Sequence, residues 1–558
     1  MLPKPQPEIR RCRKPLANWL WEWRQSEWIG SLILVAAFLP LTLPNFWAGK
    51  WRHSLFQLAL WLAVFGCRRW AVLLLLPFYL ATPILIFVGQ HYGPPDLDLL
   101  SSIRGSTTFE KSAFLQIIPA GYFWLYALML VPVLAYLAIR RCACRRTPAK
   151  IRWFCFLVAG GFLLNWGIDA YRLRWHGETL FGSVLVQHVG RYQPLGLPVS
   201  LTLAALDADG QQQAALQRVQ FKYNATSAEK IDTVVFVIGE SARADHWQLN
   251  GYPRPTTPKL DQFHNLISFS NVMSLAPNTV LSWPFIFTPK VPGDSSHWTT
   301  RKSFISAFKE AGYGTYFISF YLDQNSPKTD PLTYIVFDAD TVINGCATTG
   351  TKSTDPAMLP TIRQILAAKG AKLVVISTQG SHSGFQSKLP LAYDFFQPSM
   401  AGGSRTPEAC RNGYDNSIRM TDDFLAAIIN QLYAQGGRTV LFYVSDHGFA
   451  CCDPGEKFLG QAFIKPEYRP ACVAWASPAF LADASDKARF DLGRKHAAAP
   501  VTTDYVLHSF LDLCGIQTKA LEPAKSLFNA NFMPPEKCRV EDFQGHWLDY
   551  GEVPDSVR

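Results

Sequence analysis

Five apolar segments in the first 170 residues, at 29–48, 54–67, 70–90, 115–139 and 152–169, limit what this chain can become more than any other feature. A helix needs about 20 predominantly apolar residues to cross a bilayer. Each segment approaches that length, the second being the shortest, and Cys67-Arg68-Arg69 makes a tight turn between the second and third. A cleaved signal peptide is the competing reading of the first segment, set aside because four more follow. Arg10, Arg11, Arg13, Lys14 and Arg24 precede the first segment, Arg68 and Arg69 follow the second, and Arg140, Arg141, Arg145, Arg146, Lys150 and Arg152 lie between the fourth and fifth. The loop 91–113 is close to charge-balanced. The excess of Lys and Arg on one side predicts a cytoplasmic amino terminus and five crossings, with everything after about residue 170 outside.

That topology also accounts for much of the net charge of +10 over 558 residues. The basic residues form no stripe interleaved with stacking aromatics, so a nucleic-acid partner is not expected. Residues 1–170 are read as a transmembrane domain and 231–558 as a globular domain. Residues 171–230, with Tyr171-Arg-Leu-Arg-Trp175, are read as interfacial helices bridging the two. A soluble cytosolic enzyme is excluded by the five spans.

The globular part is organised around Thr233-Val-Val-Phe-Val-Ile238, which ends in Gly239-Glu240-Ser241 and is expected to lead into a helix. A short, wholly apolar run fits a strand buried on both faces of a parallel sheet. Asn250 to Pro258 is rich in turn residues, and 268–274 reads as a short strand. Ala276 to Pro284 is a candidate nucleophile loop entering a helix. A helix at 301–311, a strand at 314–320 and a helix near 356–368 follow. The strand Lys372 to Ser377 then leads to Gly380-Ser381-His382. A long helix near 415–434 precedes the strand Thr439 to Ser445, which runs into Asp446-His447-Gly448. Alternating helix and strand mean an α/β domain with a mainly parallel sheet and helices on both faces.

In such sheets chemistry gathers beyond the carboxyl ends of the strands. Glu240, His382, and Asp446 with His447 follow three separate strands. Each is a weak signal alone, and their joint placement is what suggests an active-site rim. Glu240, Asp446 and His447 make an oxygen, oxygen, nitrogen set that suits zinc. Of twelve cysteines, Cys12, Cys67, Cys142, Cys144 and Cys155 belong to the membrane half and are expected reduced. Cys346, Cys410, Cys451, Cys452, Cys472, Cys514 and Cys538 lie in the external half, where at most three internal bridges can form.

Taken in order, GES, GYPRPTTP, SFSNV, the Asn278-Thr279 loop with Ser282-Trp283-Pro284, GSH, YDNSIRMTDDFL and SDHG resemble the phosphoethanolamine transferases of Gram-negative bacteria. The resemblance covers nearly the whole chain. It implies a multi-pass inner-membrane protein with five spans and a periplasmic catalytic domain of the alkaline-phosphatase/sulfatase fold. It implies Zn2+ held by Glu240, Thr279, Asp446 and His447, with Thr279 as nucleophile and His382 at the substrate phosphate as acid/base or phosphate-binding group. Asp415 and Asn416 match a motif read as largely structural. Tyr92, Ser102 and Glu110 in the loop 91–113 fall where the family meets the lipid headgroup. The chain departs from the family in having Phe449-Ala-Cys-Cys452 after Asp-His-Gly in place of acidic residues. It also has no histidine in Lys457 to Gln461.

The implied reaction is transfer of phosphoethanolamine from phosphatidylethanolamine to a cell-envelope acceptor. The acceptor would be lipid A, the lipopolysaccharide core or a periplasmic glucan, and the protein a monomer at the membrane lipid. A threonine hydroxyl is a poor nucleophile, and zinc coordination lowers its pKa enough for attack through a phospho-threonine intermediate. Ser282 is the rival nucleophile, but the run Ser282-Trp-Pro-Phe-Ile286 lacks the arginine of the sulfatase signature. Two other readings are a phosphodiester transferase or hydrolase of the same fold acting on a different phospholipid, and a non-catalytic lipid-binding envelope protein.

Overall fold

The computed structural model describes residues 218–294, 300–320, 332–345, 354–382, 389–399, 406–451, 463–542 and 546–556, together with residues 58, 153, 154 and 157. The chain divides into two compact units, Met1–Leu206 and Asp207–Arg558. Residues 58, 153, 154 and 157 belong to the second and fifth apolar segments and are helical. The rest of the five segments lies outside the described residues. Among the described residues no helix is long and apolar enough to cross a membrane.

The second unit is built on a seven-stranded sheet. Its strands in chain order are β1 (Thr233–Gly239), β2 (Leu266–Ser268), β3 (Gly314–Ser319), β4 (Thr341–Asn344), β5 (Lys372–Ser377), β6 (Thr439–Ser445) and β7 (Cys472–Ala476). They lie in the order β2-β7-β6-β1-β5-β3-β4. The five strands from β6 to β4 pair in parallel, whereas β7 is antiparallel to both β6 and β2. The sheet is therefore mixed but mainly parallel, as the alternating pattern predicts.

Its longer helices are α1 (Thr279–Phe287), α2 (Phe304–Glu310), α3 (Leu359–Leu366), α4 (Pro407–Gln435), α5 (Ala484–Lys495) and α6 (Asp504–Leu513), with single helical turns at Thr333–Val336 and Pro478–Leu481. Strand alternation sends successive side chains to opposite faces. Val234, Phe236 and Ile238 of β1 pack with residues of α1, α2, α5 and α6. Val235 and Val237 pack with residues of α3 and α4 on the other face. Every residue of β1 is buried, which is what its unbroken apolar run requires. The aromatic core on the first face centres on Phe236, which touches Phe287, Phe304, Phe442 and Phe510 at ring separations of 4.8 to 5.8 Å.

Three local expectations need correction. No helix follows Ser241; the chain makes two 3-10 turns, Ala244–His246 and Gln248–Asn250. The reason is Ser241 itself, whose φ of 59° is left-handed and breaks helical propagation. The single strand expected at 268–274 is two pieces. Leu266–Ser268 joins the main sheet, and Val272–Met273 leaves it to pair with Val501–Thr502. The long helix begins at Pro407 rather than near 415, because Thr406 caps it by accepting from the Ala409 N–H and Pro407 suits the first turn.

Candidate metal centre

The site forms where β1 and β6 end side by side. Gly239 is in register with Ser445, so Glu240 and Asp446 emerge at the same level. One ligand atom from each of Glu240, Asp446 and His447 lies within 4.8 Å of the others. The Asp446 carboxylate is fully buried and held from one side. Its Oδ1 accepts from the Ser241 N–H at 3.0 Å and the His447 N–H at 2.8 Å. Its Oδ2 has no hydrogen-bond partner and lies 3.5 Å from His447 Nε2. A buried carboxylate oxygen without a donor is costly, and a divalent cation would supply the missing partner. His447 Nδ1 lies 2.5 Å from the Gly448 carbonyl, to which it can only donate, so Nε2 carries the lone pair. Nε2 sits 3.5 Å from Glu240 Oε1, facing the two carboxylates. The residues present thus fit a zinc-type ion.

The electrostatics follow from this crowding. Burial and then the nearby Asp446 push the Glu240 carboxyl up to about 7, against the opposing influence of His382 and His447. Burial alone would push the His447 imidazole down, but Asp446, Glu240 and Glu467 together outweigh it and raise its pKa. Acid and base therefore share one buried pocket, and its excess of negative charge favours a cation.

Glu240 is held by a strained but well-supported turn. Ser241 Oγ donates to Glu240 Oε1 at 2.7 Å, and the Ser241 carbonyl accepts from Tyr414 Oη at 2.6 Å. The same Tyr414 oxygen accepts from the Arg243 N–H, and Ser445 Oγ accepts from the Ala242 N–H. Behind Glu240 the loop after β5 comes unusually close. A Cβ on Gly380, whose φ is +48°, would stand 2.6 Å from the Glu240 carbonyl oxygen. The Ser381 N–H donates to that oxygen at 2.9 Å. Asp355, also buried, accepts from the N–H groups of Gln379 and Gly380 and so fixes the loop that carries His382.

Thr279 is the first residue of α1, where the helix dipole and unsatisfied N–H groups favour negative charge. Its Oγ1 donates to Glu240 Oε2 at 3.1 Å. Ser282 points elsewhere: fully buried, its Oγ donates to the Asp446 carbonyl oxygen at 2.9 Å. His382 is close enough to Glu240 for its charge to favour the ionised carboxylate. Asp415 lies apart from this cluster. It is fully buried and accepts from His246 Nδ1 at 2.7 Å, Tyr252 Oη at 3.0 Å and Arg254 Nη1 at 2.5 Å, anchoring the turn-rich loop. Asn416 likewise holds Phe396 through its backbone N–H and carbonyl. Tyr92, Ser102 and Glu110 lie outside the described residues, as do Cys452 and 457–461.

Phe449, Ala450 and Cys451 are buried, and Phe449 stacks on Tyr414 at 6.0 Å. Apolar packing therefore stands where the family pattern has acidic groups. Cys410 is disulfide-bonded and its Sγ lies 3.1 Å from Cys451 Sγ. Cys451, Cys472, Cys514 and Cys538 are thiols, which leaves Cys346, Cys410 and Cys452 among the seven external cysteines, so the ceiling of three bridges falls to one. Two supporting residues carried no signal in the sequence: Asp355 and Glu467. Glu467 is fully buried, and its Oε1 accepts from the Ala450 N–H at 2.8 Å. Each works through backbone groups that only the fold brings near.

Residues 232–516 match the family model described as Sulfatase. The phosphoethanolamine transferase EptC of Escherichia coli K12 is 27% identical over 340 residues, 58% of this chain and 58% of that protein. The chain thus spans just under three-fifths of that relative's length. The Kdo(2)-lipid A phosphoethanolamine 7''-transferase of the same organism is 24% identical over 483 residues, covering 80% of this chain and 82% of that one. Two solved structures share the fold. One is the C-terminal periplasmic domain of EptC from Escherichia coli in complex with Zn, with a TM-score of 0.52, 23% identity and coverage of 60% and 96%. The other is the integral membrane lipooligosaccharide phosphoethanolamine transferase A (EptA) of Neisseria meningitidis, with a TM-score of 0.67, 18% identity and coverage of 91% and 98%. The strand order, the metal-ligand cluster at the ends of β1 and β6, and a family match over just more than half of the chain make this protein a member of the sulfatase family.

Proposed function

We propose that the chain is a zinc-dependent phosphoethanolamine transferase that takes its donor group from phosphatidylethanolamine. The observation that carries this reading is the Thr279 hydroxyl at the amino end of α1, 3.1 Å from a carboxylate of the Glu240–Asp446–His447 cluster. The relatives named for phosphoethanolamine transfer support the class of group transferred.

Glu240, Asp446 and His447 would hold the ion, with Thr279 as the fourth ligand. When bound, zinc would supply a Lewis acid that lowers the pKa of the Thr279 hydroxyl and offsets charge on the phosphate. Thr279 Oγ1 attacks the donor phosphorus. The new bond is Oγ–P, the broken bond is that from phosphorus to the glycerol oxygen, and the Thr279 proton passes first toward Glu240 Oε2. His382 gives a proton to the departing diacylglycerol oxygen. The amino end of α1 faces the developing phosphate charge. An acceptor oxygen then attacks the phospho-threonine, the Oγ–P bond breaks, and Thr279 regains its proton. The acceptor belongs to the cell envelope: lipid A, the lipopolysaccharide core or a glycan.

The same reading makes the first 170 residues five membrane spans, with the catalytic unit on the periplasmic side of an inner membrane. Trp153, Phe154 and Leu157, on helical backbone, are 69%, 66% and 73% exposed, the kind of apolar exposure a lipid-facing helix carries. Tyr92, Ser102 and Glu110 are assigned to the headgroup region. The test is incubation of the full chain in detergent with a fluorescent phosphatidylethanolamine, followed by intact mass and peptide mapping beside Thr279→Ala. A phosphoethanolamine adduct on Thr279, zinc-dependent and absent from the variant, is expected together with released diacylglycerol. A folded, zinc-loaded sample that gives neither product would refute the donor assignment.

A further inference from the structure

The serine that the sequence makes a rival nucleophile has another assignment in the fold. Ser282 follows Thr279 by three residues in α1, so the two lie on one helix face. Its fully buried hydroxyl donates to the Asp446 carbonyl oxygen at 2.9 Å, and Ser274 Oγ donates to the same oxygen at 2.8 Å. The Asp446 side chain is fixed separately, through Ser241 N–H and His447 N–H. The backbone and the side chain of this one residue thus look in different directions: the carboxylate to the metal cluster, the carbonyl to the nucleophile helix.

We propose that Ser282 is a positioning residue that holds the nucleophile helix in register with the metal ligands. The inference rests on the reading of Thr279 as nucleophile. Two hydrogen bonds tie α1 to the ends of β1 and β6: Thr279 Oγ1 to Glu240 and Ser282 Oγ to Asp446. The first is lost as soon as Thr279 Oγ bonds to phosphorus and gives up its proton. The second involves no reacting atom and persists through both half-reactions. It therefore keeps the phospho-threonine in place while the acceptor approaches from the other side. Near-attack geometry is exacting, and a shift of about 1 Å costs on the order of a hundredfold in rate. Ser274 is bound to the same carbonyl but lies outside α1, and its single O–H is shared between that carbonyl and the Ala276 carbonyl. It shares the hydrogen bond without sharing the lever.

The experiment measures the rate at which Thr279 is modified at saturating phosphatidylethanolamine in the full-length, zinc-loaded protein, comparing wild type, S282A and S274A. Zinc affinity by chelator competition and thermal unfolding are measured on the same samples. S282A is expected to slow modification of Thr279 by about 10- to 100-fold, with zinc affinity and donor KM unchanged. S274A, which removes a donor from the same carbonyl, is expected to stay close to the wild-type rate. If S282A fails to fold, S282C keeps a weak donor at similar volume and is expected to give an intermediate rate. A wild-type rate in S282A, equal losses in S282A and S274A, or an adduct mapped to Ser282 would each overturn the proposal. A wild-type protein that forms no adduct at all strikes the nucleophile assignment instead, and the positioning role falls with it.

Discussion

Gly380→Ala separates two costs that usually occur together. Gly380 has φ +48°, and a Cβ there would meet the Glu240 carbonyl oxygen at 2.6 Å, its nitrogen at 3.1 Å and its Cβ at 3.3 Å. The left-handed conformation alone costs an alanine about 1 kcal/mol. The two nearest contacts are with backbone atoms of a proposed metal ligand, which cannot swing away as a flexible side-chain tip could. Relief requires the β5 loop and the end of β1 to part by several tenths of an ångström. That displaces Glu240 from Asp446 and His447, and a comparable disturbance of ligand support lowers metal affinity by roughly 10- to 100-fold. Gly370 is the control. Its φ is +89°, and nothing lies within 4 Å of its would-be Cβ. Gly370→Ala should cost about 1 kcal/mol in stability and leave zinc affinity alone. Thermal unfolding and chelator competition on the detergent-solubilised chain give both quantities. Wild-type zinc affinity in Gly380→Ala, or an equal loss in Gly370→Ala, would refute the idea that close approach at Gly380 sets the ligand geometry.

Other perturbations test other parts of the molecule. His508 is buried, its Nδ1 accepts from the Glu522 N–H at 3.2 Å, and burial pushes its pKa down to about 3. A folded pKa below the unfolded value means its contribution is whole above about pH 6.5 and is lost as pH falls from there toward 3. By pH 5 the loss is about 2 kcal/mol, a slope that His508→Asn should remove from the difference in unfolding stability between the two proteins. Asp446→Asn keeps an oxygen for the Ser241 and His447 N–H groups but relieves the crowding of Asp446 on Glu240. The metal-free variant should melt no lower than metal-free wild type, yet gain nothing from added zinc. Wild type should gain about 2.7 kcal/mol at a free zinc concentration a hundred times its dissociation constant. Asp415→Ala orphans three donors around a buried carboxylate and should cost about 3 kcal/mol while the zinc affinity of the folded protein holds. A cost below about 1 kcal/mol would mean that the turn-rich loop is anchored by other contacts.

The parts of the fold legible in the sequence are those written in local pattern. The runs at 233–238, 372–377 and 439–445 have no polar interruption because both faces of a central parallel strand are covered, and all three form the middle of the sheet. The two strand ends that carry Glu240 and Asp446-His447 were legible for the same reason. The helix expected after Ser241 failed because the hydrogen bonds that hold Ser241 in a left-handed conformation come from Asp446 and Tyr414, far along the chain. The helices α5 and α6 and the antiparallel strand β7 had no motif to announce them, although Trp475 of β7 is among the largest fully buried side chains. Ser282 could be recognised as a serine near a nucleophile. Its actual partner, a main-chain carbonyl, leaves no trace in residue type. The same holds for Asp355 and Glu467, whose acceptor roles depend on which N–H groups the loops bring to them.

The register of β1 against β6 has a consequence for how the protein is made. Ser241 and Asp446 are 205 residues apart in sequence yet joined by a hydrogen bond. Closing so long a loop is an entropic expense that local contacts do not repay, and topologies of this kind form slowly. No short piece of the nascent chain can hold the ion, because neither Glu240 nor the Asp446–His447 pair is a site without the other. An ion held there would thus be a late arrival, captured only after β6 has docked beside β1. It would then act as a clasp on a finished sheet, so metal supply should govern how long the folded protein survives rather than how quickly it first folds.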